Sequence, residues 1–123
     1  MAFDEGLAQR VREVLSDRDD LGEVVEKKMF GGLAFMIRGN MCCGILREDL
    51  MARVGKANHA RWLGEPHARE MDFTGRPSPG MLFVGPNGVA EDDALGRWIA
   101  ACVDACTALP PKAPGARNPR KRR

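Results

Sequence analysis

The sequence predicts an α+β domain: a mostly antiparallel sheet of five to six strands, a helix at each end, and one short helix between strands. Three observations carry this. Apolar residues recur at three- and four-residue steps near both ends of the chain. Between those stretches the period is two, punctuated by glycine-bearing turns at hairpin spacing. A short polar segment stopped by Gly64 and Pro66 interrupts the strands. The chain has 123 residues, 44% apolar and 29% charged, which suits one domain with one core.

The elements follow in order α-β4-α-β2-α. Phe3, Leu7, Val11, Val14 and Leu15 share one face of a helix running from Phe3 to about Arg18, with Asp4 and Glu5 at its positive end. From Val24 the pattern alternates and predicts a first strand, ended by Gly31-Gly32. Leu33 to Arg38 and Met41 to Leu46 read as a hairpin around Gly39-Asn40, a type II′ pair. That turn sets Ile37 opposite Cys42. It places Leu33, Phe35, Ile37, Cys42 and Leu46 on one face, and Ala34, Met36, Met41, Cys43 and Ile45 on the other. Both faces are apolar, unlike a sheet covered on one side only. A turn at Glu48-Asp49 leads to a strand over Leu50 to Val54, and Lys56 to Leu63 reads as the short helix. Glu70 to Phe73 and Met81 to Val84 complete the strands. Glu91-Asp92-Asp93 opens the closing helix, whose stripe is Leu95, Trp98, Ile99, Cys102, Val103 and Cys106, and Pro110-Pro111 ends it.

The net charge of +2 conceals an asymmetry. Six of the 19 Lys and Arg residues follow Pro110 and none of the 17 acids do, so residues 1–109 are mildly acidic. The expected organisation is a domain over 1–109 and a disordered basic tail over 110–123, rich in Pro, Gly, Ala and Arg. Arg120, Lys121, Arg122 and Arg123 form a compact cation cluster, a candidate for non-specific nucleic-acid contact or a solubilising end. There is no apolar run long enough to span a membrane, and no apolar stretch near Asp4 and Glu5 that would make a secretory signal. A cytoplasmic location with four reduced thiols is the expectation.

Catalytic chemistry finds little purchase. Gly31-Gly32 precedes a strand instead of the helix a phosphate cradle needs. The only serines, Ser16 and Ser78, stand outside any nucleophile context, and Asp72 alternates with apolar neighbours. Cys102 and Cys106 share a helix face. With Cys42 or Cys43 and with His59 or His67 they are the alternative, a thiol- or metal-dependent sensor or small enzyme, although the spacing matches no C-x-x-C knuckle. The simpler reading makes these thiols small core hydrophobes. No cofactor is expected, and no catalytic or metal-ligating residue is assigned.

Lys28-Met29-Phe30-Gly31-Gly32, Gly39-Asn40-Met41, Asp49-Leu50-Met51-Ala52-Arg53-Val54-Gly55, Pro66, Met71-Asp72-Phe73-Thr74-Gly75-Arg76-Pro77 and Leu95 with Trp98 are the motifs that carry a resemblance. Over about Asp4 to Leu109 the chain resembles the N-terminal domain of the TfoX/Sxy competence regulators of bacteria. The resemblance implies an antiparallel sheet with flanking helices and no established catalysis. It also implies a part in transcriptional regulation of DNA-uptake genes together with a cyclic-AMP-dependent activator. Full-length members carry a second, helical domain; here a short basic tail follows, so the N-terminal module without that domain is expected. The overall expectation is a module that acts by binding. Met36, Met41, Cys43 and Ile45 are its candidate interface, for a protein partner or a symmetric homodimer. A loop over Thr74 to Gly80 is the alternative cover for that face.

Overall fold

The computed structural model describes residues 3–29, 31–71 and 78–110. Helix α1 (Glu5–Ser16) is followed by strands β1 (Val24–Met29), β2 (Gly32–Ile37), β3 (Asn40–Leu46) and β4 (Asp49–Arg53). Then come the short helix α2 (His59–Leu63), β5 (Ala68–Glu70), β6 (Met81–Val84) and helix α3 (Asp92–Thr107). The strands form one open antiparallel sheet in the order β1-β2-β3-β4-β6-β5. The α+β class and the order of elements are those expected from the sequence.

Both long helices are built as their sequences require. Asp4 caps α1, its carboxylate accepting the Leu7 N–H at 3.1 Å. Leu7, Ala8, Val11 and Leu15 are buried, and the whole α3 stripe from Leu95 to Cys106 is buried as well. These helices cover one sheet face. There Leu33, Phe35, Ile37, Ile45, Leu50, Ala52, Leu82 and Val84 pack under Trp98, Ile99 and Val103. Trp62 of α2 joins the same cluster, its ring centroid 4.8 Å from that of Trp98.

Two turns fall one residue before their expected positions, because a residue with turn chemistry finds a partner in the strand. The β2–β3 loop is Arg38-Gly39, with φ of 55° and 83°, the double-positive pattern of a type I′ turn. Asn40 is thereby drawn into β3, where it is buried and its side-chain amide donates to the Pro110 carbonyl at 2.9 Å. The Cys106 thiol donates to the Asn40 carbonyl at 3.5 Å. Likewise Leu46 pairs Asp49, leaving Arg47-Glu48 as the β3–β4 turn, and Asp49 receives Arg69 at 2.7 Å. In each case a residue with turn chemistry is worth more in the strand, where it meets a partner: Asn40 in the interior, Asp49 at the surface.

A bulge then resets the faces. Met36 pairs Met41, but Phe35 pairs Cys43, so Cys42 is the extra residue. Cys42 and Cys43 both enter the helix-side cluster, and every later residue of β3 is on the face opposite to that expected. Cys43 and Ile45 therefore line the core under the helices, while Gly44 and Leu46 face away. The Met41 carbonyl, beside the bulge and beyond the β3–β4 ladder, is taken by Arg53 Nε. Strand β5 begins at Ala68, two residues before its expected start at Glu70, because its ladder to β6 runs from Ala68–Val84 to Glu70–Leu82.

Candidate functional site

The face turned away from the helices is where the sequence places its softest side chains. Cross-strand register sets Val25, Lys27 and Met29 of β1 beside Ala34 and Met36 of β2. Met41 and Leu46 of β3, Met51 and Arg53 of β4, and Met81 and Phe83 of β6 continue it. Met71, just past β5, packs with Leu46, Met51 and Phe83. The six methionines after the initiating one thus all sit on or against this face, and none is in the helix-side cluster. Methionine is unbranched and polarizable, so such a surface adapts to an irregular partner more readily than one of Ile or Val.

The face is graded. Ala34 and Met51 are fully buried, Met36, Met41 and Met81 are half-buried, and Val25 is 43% exposed. Its β5 end is clasped by Arg69, which pairs with Asp49 and stacks 4.9 Å over the Phe83 ring. Of the expected interface, Met36 and Met41 are therefore on this surface. Cys43 and Ile45 are not, since the bulge at Cys42 turns them under the helices.

The four thiols converge from β3 and α3, and they are free and buried. Their surroundings oppose ionisation. The hydrogen bond with Cys42 and then burial push the Cys106 thiol far above its ordinary range. Burial first, and then the nearby Cys42, do the same for Cys102. At Cys42 the bond to Cys106 favours the thiolate, but the bond to Cys43 together with burial outweighs it. Burial likewise prevails at Cys43 over its bond from Cys42. Such thiols are poor nucleophiles.

Neither histidine joins them. His59 opens α2; its Nδ1 accepts the Gly80 N–H at 2.8 Å and its Nε2 lies 2.9 Å from Glu70 Oε1. Both ring nitrogens are thus spent in tying α2 to the ends of β5 and β6, a role with no signal in sequence spacing. His67 is exposed in a turn with φ of 70°. Among the described residues no group of three or more His, Cys, Asp or Glu side chains is arranged to hold a metal ion. The Cys102, Cys106 and histidine site of the alternative reading is not assembled.

The motif residues divide. Lys28 and Met29 end β1, and Gly31 adopts φ of 77° in the turn that follows. Gly32 starts β2 so close to β3 that a Cβ there would collide with the Ile45 carbonyl oxygen. Phe30, Asp72, Phe73, Gly75, Arg76 and Pro77 lie outside the described residues, as do most of the Thr74 to Gly80 loop and the tail with Arg120, Lys121, Arg122 and Arg123. No helix among the described residues is long and apolar enough to cross a membrane.

No curated protein and no solved structure matches the chain closely. The model of the TfoX N-terminal domain matches residues 17–106, from the end of α1 to the last turn of α3, and with it every strand of the sheet. With that match over most of its length, the chain belongs to the TfoX N-terminal domain family.

Proposed function

We propose that this protein is a non-catalytic regulatory module whose working surface is the methionine face, through which it contacts a protein partner in the control of DNA-uptake genes. The observation that carries the reading is the distribution of side chains. The thiols are buried and the His59 ring is bonded at both nitrogens. The opposite face instead offers half-buried Met36, Met41 and Met81, with Val25 at its border. Family membership supports a module of the TfoX kind. The step to competence and transcription is ours.

The test is genetic and chemical together. Transcripts of DNA-uptake genes are measured in cells lacking the chain and resupplied with it, or with Met41→Glu or Met81→Glu. The reading expects transcripts to rise with the unaltered chain, and either charge to cancel the rise while leaving the unfolding midpoint nearly unchanged. Equal transcripts with and without the chain would end the regulatory reading. A thiol titration separates the enzymatic alternative. Buried thiols react only in denaturant, whereas rapid modification of the native protein would put the cysteines back among the working groups.

A further inference from the structure

We infer that β1 is the seam of a homodimer, in which its outer edge pairs antiparallel with β1 of a second copy, centred on Lys27. This inference is independent of the partner proposed above and uses the strand edge, which adjoins the methionine face at Val25.

The two edges of the sheet are unequal. At one edge β5 has three residues, and at the other β1 has six, with Val25, Glu26, Lys27 and Lys28 all exposed. No strand among the described residues pairs the outer side of β1. An edge of this length is a template for another strand unless its side chains forbid it. Val25 is also the one exposed large hydrophobic among the described residues.

Hydrogen-bond phase restricts how two copies can meet. Met29 and Gly32 close the β1–β2 hairpin, so Met29, Lys27 and Val25 turn their backbone groups toward β2. Val24, Glu26 and Lys28 then turn theirs outward. A two-fold axis normal to the sheet must pair outward residues with outward ones and keep both helix layers on one side. Only registers centred on a residue satisfy that. Centred on Glu26, two carboxylates face each other and Val25 meets a lysine. Centred on Lys27, each Glu26 faces Lys28 of the second copy on the helix side, and each Val25 faces Met29 of the second copy on the other side. The unfavourable pair is Lys27 with its own copy, and those long stems can diverge into solvent.

Lysines on an edge usually guard against such pairing. Here the guard carries its own complement two residues away. Glu26 already receives Arg12 from α1, with Arg12 NH2 at 2.8 Å from Oε1, but a carboxylate has lone pairs left for a second cation. The joined sheets would run the methionine faces together, Met36 and Val25 of one chain beside Met29 of the other. One strand pair buries little area, so the association belongs to the weak class, with a dissociation constant on the order of micromolar or above.

The experiment is light scattering or sedimentation of the full chain across concentration, up to about 1 mM. The unaltered chain is expected to move from monomer to dimer. Lys28→Pro, which removes an outward N–H, is expected to weaken association by about tenfold or more while far-UV circular dichroism stays native. Glu26→Lys and Lys28→Glu each place like charges across the seam and should each stay monomeric. Mixed in equal amounts they place unlike charges at every such position, and the dimer should return. A change in either monomer's own stability cannot produce that recovery. Met41→Glu, far from the edge, leaves the dimer intact, which distinguishes failure of this seam from failure of the methionine face. A chain monomeric throughout, a dimer that resists Lys28→Pro in its folded form, or charge variants that do not recover on mixing would overturn the inference.

Discussion

The two faces of one sheet solve different problems. Under α1 and α3 the strands present Leu, Ile, Val and Phe, with cysteine and tryptophan from the helix, and nearly all are inaccessible to solvent. These are mostly branched or rigid side chains whose rotamers fix how a helix sits. On the other face the same strands present methionine, interspersed with Ala34, Gly44, Leu46 and Phe83. Position for position the strands are the same backbone, so the difference lies in what each face has to hold. One locks two helices in a single pose. The other is filled by side chains that repack easily, as suits a surface meeting something not part of the fold.

The sharpest way to break the comparison is to delete one large group from each face. Trp98→Ala, under the helices, is expected to cost about 3–5 kcal/mol by denaturant unfolding, since it empties a site walled by Trp62 and the sheet. Met36→Ala on the other face should cost less than about 1 kcal/mol, because Met36 is half-exposed and its neighbours can close in. Similar losses at both sites would mean that the methionine face is core.

A smaller effect sharpens where the soft face is thin. A Cβ on Gly44 would meet the Leu33 carbonyl oxygen at 2.6 Å and Met51 Cε at 2.7 Å. The methionine tip can swing away, but the carbonyl belongs to the β2–β3 ladder. Gly44→Ala should therefore destabilise by about 1–3 kcal/mol, read as a lowered unfolding midpoint. An unchanged midpoint would show that the ladder itself yields.

The smallest expected effect is electrostatic and belongs to the helix side. Hydrogen bonds from Arg12 hold the Glu26 carboxyl below its ordinary range. The folded state thus binds that proton less readily than the unfolded chain does. The contribution is complete at neutral pH and is lost as pH falls through the depressed folded value. Both partners are well exposed, so it stays within about 1 kcal/mol. Thermal midpoints of the parent and of Glu26→Gln, measured from pH 7 down to 3, should converge at the acid end; a constant gap would remove the ion pair from the account.

How much of this was legible beforehand varies element by element. The α3 stripe was readable to the residue, because six apolar positions at helical spacing admit one buried face. Strand β6 was readable as a short apolar run, Met81 to Val84, between a glycine turn and Gly85-Pro86. The hairpins were readable as hairpins, and their registers were not. Local chemistry nominates Gly39-Asn40 and Glu48-Asp49 as turns, yet Asn40 and Asp49 have partners in Pro110 and Arg69, 70 and 20 residues away. His59 with Glu70 and Gly80, and Arg53 with the Met41 carbonyl, are likewise unions of distant residues that no spacing rule announces.

The order of residues determined the class of fold, its element sequence and the supply of methionine to the strands, since periodicity and turn composition are local properties of the chain. Tertiary structure alone decided which face each side chain of β3 occupies. A strand's sides alternate every residue, so one inserted position at Cys42 reverses everything after it. That reversal sends Cys43 and Ile45 inward and Leu46 outward, and so separates the core from the surface on which the proposed function rests.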